Sequence, residues 1–128
     1  MKLLLDTHAL LWHFAGSASL SERARVAIEH VDAEVFASVA SLWEIAIKLN
    51  AGKLALSYPF AALHAELLPK HGFQLLAILP RHLDLVASLP RHHRDPFDHL
   101  LVARALVENI EIVSNDSALD SYGVRRLW

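Results

Sequence analysis

Short apolar runs alternate with longer stretches of helical period along the whole chain, and this alternation restricts the fold more than any other feature. "KLLL" (2–5), "AEVFAS" (33–38), "FQLLAI" (73–78), "IEIV" (110–113) and "VRRLW" (124–128) have the length and character of buried strands. Between them lie segments of helical character. "THALLWHF" follows the first run, with Thr7 near its N-cap. Ser19 or Ser21 can cap "SERARVAIEHV", which sets Ala24, Ile28 and Val31 on one face. "SLWEIAIKLNAG" is expected to start near Ser41 and stop at Gly52. "YPFAALHAELLPKHG" closes between Pro69 and Gly72, and "PRHLDLVASL" carries Pro80 in its first turn. Pro90 and "RHHR" form a loop. "DPFDHLLVARALVEN" then has Asp95 as N-cap, Pro96 at the first helical position and Asn109 as a stop, and "SALDSYG" is a short helix before the last run.

Strands separated by helices imply an α/β fold: a central parallel β-sheet flanked by helices on both faces. With 128 residues, 54% hydrophobic and 20% charged, the chain suits a single domain over 1–128 with a core that needs no cross-links. Cysteine is absent, which removes a disulfide framework, a thiolate metal site and a cysteine nucleophile, and fits a cytoplasmic location. The opening "MKLLLDTHALLWHFAGSA" imitates a secretion signal, but Asp6, His8 and His13 interrupt its apolar part. No apolar segment approaches the ~18 residues that a bilayer demands, so no membrane association is expected.

Two of the strand-like runs end in the same way. "KLLL" leads directly into Asp6, and "IEIV" leads through Ser114 and Asn115 into Asp116, each followed by a helix start. Parallel sheets hold their ligands beyond the carboxyl ends of the strands, so both acids should emerge at one edge. Glu44, after "EVFAS", and Asp98, after "DP", open helices that follow. Each acid also has a purely structural reading. Ser41 and Glu44 match a capping box, Asp98 complements a helix dipole, and Asp6 and Asp116 can cap the helices they precede. Asp95 is best read as a cap alone. If the four do converge, their mutual repulsion calls for a hard divalent cation, Mg²⁺ or Mn²⁺, which suits chemistry on a phosphodiester.

Other chemistries lack their residues. The sequence has no G-x-x-x-x-G-K-[ST], G-x-G-x-x-G or G-x-S-x-G, no H-E-x-x-H, and no second aspartate after "DTH" to make a D-x-D phosphatase. His92, His93 and His99 are read as surface or core-edge groups, not metal ligands. The formal charge of −2 is not that of a protein that coats nucleic acid, so any such contact must be local. "RHHR", Arg91 to Arg94, is the densest basic cluster, with Arg125 and Arg126 second.

Taken in order, "LLLDTHALLW", "ASVASLWEIAIKLNAGKL", "HRDPFDHLLVARAL" and "IVSND" resemble the PIN-domain nucleases, specifically the VapC-type toxins of bacterial toxin–antitoxin pairs. The resemblance runs over essentially the whole chain. It implies a PIN-like fold and Mg²⁺- or Mn²⁺-dependent endoribonuclease activity. By motif, Asp6 and Asp98 would be the principal metal ligands, and Glu44 would complete the acidic site as a ligand or by orienting water. Asp116 would be the fourth acid. Thr7, Ser114 and Asn115 match supporting polar positions, and Arg91, Arg94 and Lys48 are candidates for the RNA backbone. A homodimer and a cognate VapB-like antitoxin are also implied. One departure is visible: relatives with "DPFD" commonly continue with arginine, where this chain has His99. Two other functions remain open from the residues: an acidic pocket that binds a basic partner segment without turnover, and a small-molecule phosphohydrolase.

Overall fold

Leu3, Leu4 and Leu5 have no exposed surface at all, which requires a strand covered on both faces. The computed structural model, which describes residues 1–93 and 95–128, shows how this is achieved. In chain order the elements are β1 (Lys2–Leu5), α1 (Thr7–Ala15), α2 (Glu22–Glu29), β2 (Glu34–Ser38), α3 (Val39–Asn50) and α4 (Phe60–Ala62). A π-helical turn (Leu63–Leu67), α5 (Leu68–Lys70), β3 (Gln74–Leu76), α6 (Pro80–Ser88) and α7 (Pro96–Glu108) follow. The chain ends with β4 (Glu111–Val113), a 3₁₀ helix (Ser117–Tyr122) and β5 (Arg126–Leu127).

The five strands form one parallel sheet in the order β3-β2-β1-β4-β5, the α/β architecture expected from the alternation. Residues of alternate parity supply the two faces. Leu3 and Leu5 join Val35, Ala37 and Val113 in a core with Ala9, Leu10, Ala24, Ile28 and Ile45. On the opposite face, Leu4 and Phe36 pack with Leu101 and Ile110, and Ile112 packs with Val102 and Leu119. Each fully buried leucine contributes about 2 kcal/mol, so the central strand is the main anchor of the fold.

Strand order decides where a ligand can go. From β1 the chain moves outward through β2 to β3, then returns to the other side of β1 and continues through β4 to β5. The reversal leaves a crevice beyond the carboxyl ends of β1 and β4, which are neighbours with Leu5 opposite Val113. Asp6 extends that ladder by one hydrogen bond, its N–H donating to the Val113 carbonyl at 3.1 Å.

Several local expectations need correction. Val31 is 92% exposed, because α2 ends at Glu29 and only Ala24 and Ile28 of the expected face are buried. Thr7, by contrast, does stand beside the N-cap of α1, which is Asp6. α3 starts at Val39, not near Ser41, with the Ser38 hydroxyl accepting the Ala40 N–H at 3.0 Å. The reason is the sheet: Ser38 still pairs with Leu76 in β2, and the chain enters the helix with no linker. Glu44 therefore lies in the second turn, and its capping box with Ser41 does not form. The helical stretch before β3 contains a π turn upstream of Pro69, which has no amide proton to give and whose ring would crowd the carbonyl four residues back.

α7 follows the sequence closely. Asp95 caps it through the Phe97 N–H at 2.9 Å, Pro96 occupies the first turn, and Asn109 closes it in a left-handed conformation at φ 54°. Asn109→Ala is expected to cost about 1 kcal/mol and Asn109→Gly almost nothing, because only the Cβ-bearing residue without a local amide resists that backbone. Thermal melts of the two variants check this; equal destabilisation would mean that the side-chain contact with Arg125, not the backbone, matters.

Candidate active site

The crevice predicted by strand order contains five carboxylates, among them the four expected acids from distant parts of the chain. Asp6, Glu44, Asp98 and Asp116 border one cleft of about 180 Å³, together with Thr7, His8, Lys48, His93, Asp95 and Asn115. Strand ends deliver Asp6 and Asp116. Helices α3 and α7, which pack on each other, deliver Glu44 and Asp98.

The structural roles weighed for these acids are real for two of them. Asp6 accepts the Ala9 N–H through Oδ1 at 2.8 Å, and Asp116 accepts the Ala118 N–H through Oδ1 at 3.0 Å. A cap uses one carboxylate oxygen, which leaves the second oxygen of each acid for the cleft. Ser114 is fully buried between them and accepts the Asp116 N–H at 3.0 Å. Glu44, 5% exposed, accepts the Thr7 hydroxyl through Oε1 at 2.7 Å and the Lys48 ammonium through Oε2 at 2.5 Å. Lys48 thus spends its charge inside the cleft. Arg91 is exposed and is not among the cleft-lining residues, and Arg94 lies outside the described residues.

Electrostatics makes this an unbalanced site. Burial raises the Asp6 carboxyl above the ordinary aspartate range, against the opposing hydrogen bonds of Ser114 and Ala9. Burial also pushes Asp98 up, to about 7, and the negative charges of Asp95, Asp6 and Glu44 add to the effect. A crowd of carboxylates that holds Asp98 this far above its usual range signals a deficit of positive charge.

His93 donates a hydrogen bond into this crowd of acids, and no sequence pattern assigns it to the site. Its Nε2 lies 2.9 Å from Asp116 Oδ2 and 3.3 Å from Asp98 Oδ2. Its Nδ1 accepts the Asp95 N–H at 3.2 Å, so Nε2 carries the ring proton and donates. In this tautomer the imidazole can offer a proton to the carboxylates but not a lone pair to a metal, although His93, Asp98 and Asp116 have the proximity of a three-ligand set. The backbone of His93 is held on both sides: its N–H donates to the Tyr122 hydroxyl at 2.9 Å, and its carbonyl accepts from His99 Nε2 at 2.5 Å. His99, the departure from the expected arginine, therefore anchors the loop over the cleft. No spacing in the sequence announces this arrangement, since the carboxylates that Nε2 faces are 23 and 5 residues away along the chain.

The comparisons with known proteins follow the same lines. The family model of the PIN domain matches residues 3–124. Among solved structures, VapBC2 from Rickettsia felis bound to a DNA fragment from its promoter superposes with a TM-score of 0.71 at 12% identity, covering 98% of this chain and 97% of that one. FitAB bound to an IR36 DNA fragment gives 0.67 at 15% identity, covering 97% and 92%. FitAcB from Neisseria gonorrhoeae gives 0.66 at 16%, covering 97% and 95%. At these identities the likeness is one of fold. No curated protein matches the sequence. Strand order, crevice and sequence match agree over nearly the full length, and the chain belongs to the PIN domain family.

Proposed function

We propose that this chain is a VapC-type toxin, an endoribonuclease that depends on Mg²⁺ or Mn²⁺ and cuts RNA phosphodiesters. The observation that carries the reading is the gathering of Asp6, Glu44, Asp98 and Asp116 in one cleft short of positive charge. PIN domains are generally nucleases, and one fold relative is a toxin–antitoxin complex. The toxin reading carries with it a cytoplasmic location, a second copy of the chain and a cognate antitoxin. Among the described residues no helix is long and apolar enough to cross a membrane, and Val39, Trp43, Ile47 and Leu75 expose apolar surface to a protein partner.

The donor set fits a hard cation. It consists of carboxylate oxygens with Thr7 and Ser114 hydroxyls in support, and the His93 imidazole, which lies against the acids, is turned to donate. Asp6 and Asp98 would hold the ion, with Glu44 and Asp116 completing the acidic ring. A bound ion supplies acidity to water and offsets charge on the departing oxygen. The chain's own residues do the positioning. Thr7 and Lys48 fix both oxygens of Glu44, the α1 amide at Ala9 holds Asp6 in its cap, and His93 steers Asp116. Asn115, exposed at the rim, can meet a phosphate oxygen.

Protein freed of any partner is expected to cut RNA in Mg²⁺ or Mn²⁺ and to leave it intact in EDTA. Gel analysis of total RNA reads the outcome. Cutting at the same rate in EDTA would reject the mechanism. Hydrolysis of a phosphomonoester without RNA cleavage would favour a small-molecule phosphohydrolase instead.

A further inference from the structure

Next to the acidic cleft lies a second pocket, of about 350 Å³, bounded by His8, Leu11, Trp12, Leu54, Leu56 and Tyr58. His8 borders both cavities. Its imidazole stacks on Trp12, with ring centroids 5.4 Å apart and planes 27° apart, and Trp12 in turn leans on Trp128 at 5.8 Å. Three rings therefore form a column that ends, at the exposed His8, beside the carboxylates. Lys48 lines the acidic side of this wall, and the exposed Lys53 immediately precedes Leu54 on the other.

We propose that this pocket is a nucleobase subsite: it receives the base of a nucleotide adjoining the scissile phosphate, stacked against the His8–Trp12 pair. The proposal rests on the nuclease reading and adds a place for one base beside the scissile phosphate. The reasons are geometric and chemical. A phosphate at the acids places its neighbouring base one sugar away, where an aromatic-walled pocket already opens through a shared residue. Aromatic rings bind the face of any base, and they can do so only when that base is unpaired and splayed out. The lining offers few hydrogen-bonding groups besides His8, Ser57 and Tyr58, so recognition by stacking dominates recognition by base edges. The exposed Lys53 suits the backbone beside the base.

The test uses full-length protein, a short single-stranded RNA carrying 2-aminopurine, an otherwise identical abasic strand, and the same sequence within a duplex. Binding is followed by 2-aminopurine fluorescence in EDTA, and KM and kcat for cleavage are measured in Mg²⁺. His8→Ala and Trp12→Ala are expected to weaken binding of the base-bearing strand, and to raise its KM, by about 10-fold. His8→Phe, which keeps a ring and removes the imidazole nitrogens, should restore binding of the base-bearing strand. The abasic strand should bind all proteins alike, and the duplex should bind poorly to each. His8 is exposed, so its variants report on the site even if Trp12→Ala fails to fold. Wild-type KM in every variant, with RNA still cleaved, overturns the subsite and leaves the nuclease reading standing. Absence of both cleavage and RNA binding in wild type overturns the two together. Unchanged RNA binding with lost capture of an antitoxin tail peptide would assign the pocket to a protein partner and overturn the proposal.

Discussion

Asp98→Asn is expected to abolish the proposed Mg²⁺-dependent RNA cleavage, by about three orders of magnitude, and at the same time to make the ion-free protein more stable at pH 8. The loss of activity follows from removing one charge of a ring that would hold the cation; preorganised electrostatic groups act on this scale. The gain in stability follows from the same charge seen without its ion. Burial, with Asp95 beside it, holds the Asp98 carboxyl at about 7 in the folded chain, whereas its ordinary value is 3.8. Between those two values the folded state binds more protons than the unfolded state. Stability of the ion-free protein therefore falls as pH rises from about 4 to about 7, and stays low above that. Asparagine has nearly the same shape and never ionises, so the variant escapes this penalty. Its ion-free Tm at pH 8 is expected to exceed wild type by roughly 5 °C, with the difference vanishing below pH 4. Mg²⁺ should raise the Tm of wild type and do little for the variant. Equal cleavage by the two proteins, or a lower Tm for the variant across the whole range, would remove Asp98 from the charged cluster.

The two halves of that prediction show which parts of the site were legible along the chain. Asp6 and Asp116 could be read because a strand exit followed by a cap is a local pattern, and both do cap the helices that follow. Their adjacency could not be read, since it depends on β1 and β4 being neighbours in an order that only tertiary packing sets. Glu44 was legible as an acid early in a helix, but Ser38 and Ser41 are equally good caps in isolation. The pairing of Ser38 with Leu76 in the sheet chose between them, and moved Glu44 into the second turn, where Thr7 and Lys48 reach it. His93 was the largest omission. A histidine in a basic loop carries no mark of its partners, and its place here follows from long-range contacts with Asp98, Asp116 and Tyr122 and from the tautomer that Asp95 imposes.

His82 was equally invisible in the sequence, and its removal should give the largest loss of stability outside the apolar core. It is 1% exposed and clamps α6 to α7, the helix that carries Asp98. Nδ1 accepts the Leu79 N–H at 3.0 Å, so Nε2 holds the proton and donates to Glu108 Oε1 at 3.1 Å. Glu108 also takes the Arg81 guanidinium at 2.6 Å, and the hydrogen bonds from Arg81 and His82 together hold its carboxyl down at about 2. His82→Ala strips the Leu79 amide of its acceptor, removes a donor to Glu108 and leaves a hole, for a combined cost of about 3 kcal/mol. Glu108→Gln should cost less, about 1 kcal/mol, because its partner Arg81 is largely exposed and solvent screens the pair. The acid limbs of the two proteins should also differ. A carboxyl depressed in the folded state stabilises above its unfolded value of 4.5, and that contribution disappears as pH falls through about 2. Wild type should thus lose stability relative to Glu108→Gln over that window, while Asp98 acts in the opposite sense between 4 and 7. Urea titrations from pH 2 to 8 separate the two groups, since only one of them lies on the ion-binding side of α7. A cost below 1 kcal/mol for His82→Ala would show that α6 is held to α7 by its apolar contacts and that the buried imidazole is incidental.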